Sequence, residues 1–439
     1  MIVAQASIWL AALFGGAQRR GRDAAGRNSR LNGSLVSGAV LLVVLACVAR
    51  VSAASAAEND TITIGAVVSM SGQRASLVEH MVRGYDLAVK RVNEAGGVRV
   101  GNSVYRLKLT YRDDEGLASS AARAAEQIAR DGVDFVVGPQ SSALVEPVAA
   151  VMERHRIPMV NAGGGSLSLY TQGRRYFFGI TTTVDDYLDD AIVMLAEESV
   201  RRHQPTDSVR VALAFLDVEA GREMRDSVME QIRRFRMQVV VDDTLPDPVR
   251  DMGPTLDRVR DQKADALLVF GYAQGADLTV RQMAEKQVYV PMVALTFCDG
   301  AQLEKLERNA DYVTCMSQWD PYAGYTDRWF GNAVGFAVEF ELEYGYSPPY
   351  QAAQGAAAIL VLADAVERAG STDREAVRRA LSRTNLQTFF GPVRFDDTGR
   401  NRVKPMIVQQ LHGGRYKAVW PREAAAARFI FPMPRWEDR

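Results

Sequence analysis

From Thr61 onward the chain alternates short apolar runs with amphipathic helical stretches, and this alternation restricts its fold more than any other feature. Strand patterns at Ile62–Val68, Tyr105–Arg112, Val133–Val137 and Met159–Asn161 are separated by helical patterns at Leu77–Asn93, Ser119–Arg130 and Ala143–His155. A second series starts near Tyr187 with a helix to Arg202. It continues with strand Val209–Leu216, helix Gly221–Phe235, strand Gln238–Val241, helix Pro254–Gln262, strand Ala266–Phe270, helix Ala276–Lys286 and strand Met292–Phe297. Strands that alternate with helices lie parallel in one sheet, with the helices packed on both faces. Two such series in 439 residues predict an α/β protein of two doubly wound parallel-sheet lobes. Leu107, Leu109 and Tyr111 alternate with polar neighbours, which places their strand near an edge or half exposed.

The remaining segments hold helical patterns at Trp329–Tyr344, Tyr350–Ala369 and Arg374–Ser382, then a strand-rich end from Val393 to Trp420. They are too few for a third sheet, so they are expected to return and complete the first two lobes. The lobes are then joined by three crossings: at Thr181–Asp186, near Gln318–Tyr322 and near Gly391–Phe395. The expected division is 58–182 plus 319–391 for lobe 1, and 183–318 plus 392–439 for lobe 2. Open α/β sheets bind ligands outside the carboxyl ends of their strands, so facing lobes share one site in the cleft between them.

Residues 1–57 read as a secretory signal peptide. Arg19, Arg20, Arg22, Arg27 and Arg30 precede the apolar run Val40–Ala46, and small residues follow to Ala57. The apolar run is shorter than the roughly 20 residues that a spanning helix needs. A second reading lipidates Cys47 and tethers the mature chain. Removal of the leader takes six basic residues and one acid from totals of 52 and 53, leaving 46 and 52, a formal charge of −6. That balance offers no basic footprint for nucleic acid and suits a freely diffusing periplasmic monomer. Two cysteines then remain, Cys298 and Cys315; an oxidising compartment permits their disulfide, and two separate buried thiols are the alternative.

The segment Asp131-Gly-Val-Asp-Phe-Val-Val-Gly-Pro-Gln-Ser-Ser142 runs an apolar strand into two hydroxyl residues at the head of a helix. Unsatisfied N–H groups there, with serine hydroxyls beside them, can hold a carboxylate. The plainer role for Ser141 or Ser142 is a helix cap. Nothing comparable supports an enzyme. The chain lacks a Gly-x-Ser-x-Gly elbow, a Walker loop and a His-Glu-x-x-His motif, and its four histidines (80, 155, 203 and 412) have no metal-ligand spacing. No cofactor or metal is expected.

Six segments in order carry a family resemblance: Ile64-Gly-Ala-Val-Val-Ser-Met-Ser-Gly72, Gly84-x5-Lys-Arg-Val-Asn-Glu-Ala-Gly-Gly97, the Asp131–Ser142 segment, Ala369-Gly-Ser-Thr-Asp-Arg-Glu-Ala-Val377, Phe390-Gly-Pro-Val-Arg-Phe-Asp-Asp-Thr-Gly399 and Gly414-Arg-Tyr-Lys-Ala-Val-Trp-Pro421. From Thr61 to about Glu423 the chain resembles the periplasmic solute-binding proteins of ABC transporters, in the branch typified by leucine/isoleucine/valine-binding proteins. The resemblance implies the type I periplasmic binding fold, capture of a small hydrophobic amino acid of the branched-chain type by domain closure, and delivery to a membrane permease. It also leaves open a small aromatic or aliphatic carboxylate, an amide, or a sensing role.

By resemblance the ligand is expected to meet Ser141, Ser142, the loop with Gly163, Gly165 and Ser166, and Asp185 as the acid for an ammonium group. Gly163-Gly164-Gly165 stands where relatives often carry Ala-Ala-Thr, which removes a carboxylate-binding hydroxyl. Ala220 replaces an aromatic residue, with Glu219 beside it either facing a cation or solvated. Tyr272 ends a strongly apolar strand and is placed to close over an apolar ligand. Leu77 and Trp319 are further expected contacts, whose alternatives are burial in the core and packing under the hinge.

Overall fold

The computed structural model describes residues 60–72, 75–298 and 303–439, without the side chain of Leu77; the expected leader with Cys47 lies outside the described residues. The first series comprises β1 (Thr61–Val68), α1 (Ala75–Glu94), β2 (Val98–Val100), β3 (Ser103–Asp113), α2 (Ala118–Arg130), β4 (Phe135–Val137), α3 (Ser142–His155), β5 (Met159–Asn161) and β6 (Phe177–Gly179). These strands form one sheet in the order β2-β3-β1-β4-β5-β6, parallel throughout except for β2. Only the three-residue β2 lies outside β3, so β3 keeps the half-exposed surface that its alternating residues predict.

The second series comprises α4 (Asp189–Arg201), β7 (Arg210–Leu216), α5 (Glu219–Arg234), β8 (Gln238–Leu245), α6 (Gly253–Asp261), β9 (Ala266–Phe270), α7 (Tyr272–Glu285), β10 (Met292–Thr296) and β11 (Thr314–Ser317). The chain then supplies α8 (Ala333–Tyr344), α9 (Tyr350–Ala369), α10 (Arg374–Leu381), the hairpin β12 (Asn385–Thr388) and β13 (Gly391–Arg394), and finally β14 (Ile407–His412) and β15 (Arg415–Trp420). The second sheet runs β15-β14-β11-β10-β9-β7-β8, with its last two strands in sequence added antiparallel. The strands buried on both faces are continuous apolar runs, such as Ala266–Phe270.

Alternation along β1 and β4 separates two layers of the first lobe. Ile62, Ile64, Ala66, Phe135 and Val137 face a core shared with α1, α8 and α9. Val67 and Val136 face α2 and α3 on the opposite side. Gly84 lets α1 and α9 touch, because a Cβ there would sit 2.0 Å from the Ala352 carbonyl oxygen.

Two expected boundaries move. Helix α8 starts at Ala333 instead of Trp329. The Asp327 carboxylate accepts from the N–H groups of Trp329 and Phe330 and holds them in a turn, and Asn332 caps the helix by accepting from Gly335. The last return to the second sheet also falls later than residue 391. The β12–β13 hairpin buries Val393 in the first core, Phe395 packs beside it, and Met406 is the next residue in the second core.

Cys298 and Cys315 are joined as a disulfide across a sequence separation of 17. Closing a loop of about that length restricts the unfolded chain and typically contributes about 2–4 kcal/mol. The Cys298→Ser, Cys315→Ser double variant is expected to lose that much unfolding free energy in urea denaturation. Equal midpoints for variant and wild type would show that the bond adds no stability.

Candidate functional site

A cavity of about 390 Å³ lies where the carboxyl ends of strands from both sheets converge. From the first lobe it receives Ser69 after β1, the turn after β4, the loop after β5, and residues of α9; from the second it receives Ala220, Tyr272 and Phe297. This is the position in which open α/β sheets present loops to a ligand.

The turn after β4 is built around Gly138, whose φ of +82° suits glycine and whose added Cβ would lie 2.3 Å from the Val67 carbonyl oxygen. It delivers Ser141 and Ser142 to the cavity wall at the head of α3. Ser141 does not cap its helix through its side chain, and among the described residues its hydroxyl has no partner. Ser142 Oγ accepts from the Ser166 N–H at 3.0 Å, which leaves its own proton to donate elsewhere. The hydroxyls and the helix N-terminus together form a donor cluster suited to a carboxylate.

Beside it runs the glycine loop after β5. Buried Asn161 accepts from the N–H groups of Gly163 and Gly164 at 3.0 and 2.9 Å and donates to the Gly164 carbonyl at 2.7 Å. Gly163 permits the two loops to touch, since a Cβ there would meet Gln140 Cα and the Pro139 oxygen at 2.4 Å. Gly163 and Gly165 both line the cavity.

The opposing wall is aromatic. Tyr272 and Phe297 follow β9 and β10, with ring centroids 5.5 Å apart, and Tyr187 lies 5.7 Å from Phe297. Tyr272 and Phe297 adopt φ values of +50° and +56°. Such left-handed backbone in bulky residues costs on the order of 1–3 kcal/mol each and persists where surrounding structure imposes it, often at ligand sites.

Several expected contacts lie elsewhere. Asp185 is buried and paired with Arg400 Nη2 at 2.8 Å, and the same nitrogen also bonds Asp186. One carboxylate oxygen is thereby paired, Oδ1 is buried without a partner among the described residues, and Asp185 is not part of the cavity lining. Glu219 is exposed at the start of α5, and its neighbour Ala220 lines the cavity instead. Ser166 turns away, bonding Ser168 Oγ at 2.9 Å and reaching Glu223 Oε1 at 3.4 Å. Trp319 is buried in the first core, where its indole N–H donates to the Phe389 carbonyl at 3.1 Å. The crossing stretch Thr181–Asp186, expected by resemblance to meet the ligand, brings Thr181 and Val184 to the cavity; sequence patterns did not single out Gln140, Tyr350, Phe297 or Gln354, which also line it. Tyr350 and Gln354 begin a helix far along the chain and carried no local motif.

The three passages between lobes meet at one buried lysine. Lys404 Nζ donates to the Gln318 carbonyl at 2.6 Å and lies 3.2 Å from its Oε1. Gln318 Oε1 accepts from Thr182 N at 3.2 Å, and its Nε2 donates to Thr182 O at 2.9 Å and to the Tyr187 hydroxyl at 3.1 Å. Thr182 Oγ1 donates back to the Lys404 carbonyl at 2.9 Å. Residues 182, 318 and 404 each belong to a different passage, so one network spans the hinge and touches the cavity through Tyr187.

Two doubly wound lobes around a shared cavity, joined by three passages, define a receptor that captures a small solute. A family model described as periplasmic binding protein matches residues 61–415, and the chain belongs to that family. It is 24% identical over 415 residues to a Leu/Ile/Val-binding protein homologue of Brucella suis, covering 90% of this chain and 98% of that one. Its fold is that of the type I periplasmic binding proteins. A substrate-binding protein of an ABC transporter from Desulfitobacterium hafniense, in complex with leucine, superposes with a TM-score of 0.66 at 21% identity, covering 82% of this chain and all of the other. A solute-binding protein of an ABC transporter from R. palustris, in complex with benzoate, superposes with a TM-score of 0.62 at 19% identity over 84% and 98% of the two chains.

Burial pulls the Lys404 ammonium down to about 7, with the Asp190 carboxylate opposing the shift. The unfolded chain holds that proton to about 10.4, so between these values it binds more protons than the native state, and Lys404 makes stability rise with pH. Urea unfolding at pH 7 and pH 9 should show a wild-type gain of up to about 2.7 kcal/mol from this group, absent in Lys404→Met. Parallel pH responses of the two proteins would contradict the assignment.

Proposed function

We propose that this chain is the extracytoplasmic solute-binding component of an ABC importer and that it captures a small aromatic monocarboxylic acid. The observation that carries the reading is the character of the cavity: among the described residues its polar lining is uncharged, offering serine, threonine, glutamine and tyrosine groups, while the two acids expected to receive an ammonium, Asp185 and Glu219, are not part of that lining. A carboxylate finds donors at Ser141, Ser142 and the head of α3. A flat apolar body finds Tyr272, Phe297 and Val78. A buried ammonium without a carboxylate partner would be costly.

Closure of both lobes on the solute supplies the mechanism. A ligand that touches both walls binds the closed form better and shifts the hinge equilibrium toward it. A membrane permease then receives the closed form. The branched-chain amino-acid reading is favoured by the names of the curated relatives. In that reading backbone carbonyls, with Tyr350 or Gln354, would have to receive the ammonium.

A thermal-shift panel of residues 58–439 separates the two. Benzoate-type acids at about 100 times their dissociation constant should add roughly 2.7 kcal/mol of stability, with leucine, isoleucine and valine giving less. Stabilisation by the amino acids alone would transfer the assignment to them. Ser142→Ala is expected to weaken the bound acid by about 1–3 kcal/mol in calorimetry, because a buried charged partner loses a donor. Unchanged affinity would remove Ser142 from the site.

A further inference from the structure

The cavity straddles the carboxyl edge of the first sheet. Ser141 and Ser142 head α3, which packs on one face of that sheet with Val67 and Val136. Tyr350 and Gln354 lie one turn apart on α9, which packs on the other face with Ile64 and Phe135. The donor cluster and the start of α9 therefore flank the cavity from opposite layers.

Gln354 is 3% exposed and lines this cavity, yet among the described residues its carboxamide has no hydrogen-bond partner. Thr181 Oγ1, also on the cavity wall, is buried and without a partner. Neighbouring positions of α9 show what the helix otherwise requires: Ala352, Ala353, Ala356 and Ala357 are small apolar residues packed in the core. Unlike Gln351 Oε1 on the same helix, which is sealed off without a partner, the Gln354 carboxamide keeps access to the cavity, where an occupant can bond it.

We infer that Gln354 is a specificity-determining residue that receives a second, uncharged hydrogen-bonding group of the solute, a hydroxyl or amide carried away from its carboxylate. The inference rests on the aromatic-acid reading and narrows it to acids with such a ring substituent. A carboxamide offers both a donor and an acceptor, so it pairs with a hydroxyl in either sense, and it discriminates against an isosteric methyl group that would leave it unpaired. The carboxylate on α3 and the second group on α9 would then fix the ring's orientation, and Tyr272 and Phe297 would cover it from the other lobe.

The test is calorimetric titration of the wild-type chain with benzoate, the three hydroxybenzoates and the three methylbenzoates. At one ring position the hydroxyl compound should bind at least tenfold tighter than its methyl counterpart. In Gln354→Leu that ratio should fall to within about threefold. Equal binding of hydroxyl and methyl compounds by the wild type would overturn the inference, as a glutamine satisfied by ordered water would give. A ratio that survives in Gln354→Leu would overturn it as well. The wild-type comparison stands even if the variant does not fold. Binding of benzoate without discrimination sinks the role of Gln354 alone, whereas failure of every aromatic acid to bind removes the reading beneath it.

Discussion

A single buried lysine, Lys404, ties together the three passages that join the two lobes. Lys404 bonds Gln318, Gln318 bonds Thr182, and Thr182 bonds Lys404 in return, so the three passages are tied into one ring. Phe390 lies 4.5 Å from the ammonium and closes the knot from the side of the first core. Burying a lysine is costly, and here three carbonyl acceptors and an aromatic face offset the cost. In the proposed closure, one lobe would turn against the other about this ring. Tyr187 joins the ring to the cavity, which gives a solute contact a direct route to the hinge.

The same economy of charge governs the site. Arg400 draws Asp185 and Asp186 into a pair beside the first passage, so acids that a motif would assign to a ligand instead brace the crossing. What remains at the cavity is a set of hydroxyls, helix-terminal N–H groups and rings. On the proposed reading this lining, as far as the described residues go, would suit a solute whose only charge is negative and delocalised over two oxygens, because the helix head and serines could meet it. The positive φ angles at Tyr272 and Phe297 place strain where the rings must face the opposing lobe.

Much of the architecture was legible in the sequence because it depends on local periodicity. The runs Ile62–Val68 and Ala266–Phe270 and the helix Tyr350–Ala369 declare themselves by apolar pattern. The serine turn was legible too, as a strand that ends in Gly-Pro and two hydroxyl residues. The partner of Asp185 was not. Arg400 lies 215 residues away, and no local signal links the two. Gln354 was hidden for the opposite reason: it sits in an alanine-rich buried helix whose pattern speaks only of packing. The sequence leaves Trp319 open between cleft and hinge, and its indole bond to Phe389 places it in the first core.

The most direct measurement is a crystal structure of the protein with the acid that most raises its melting temperature. The account requires both lobes closed on the solute, its carboxylate within hydrogen-bond distance of Ser141 and Ser142, and its ring against Tyr272 and Phe297. A solute whose carboxylate points into the second lobe, or one bound outside the cavity, would contradict it.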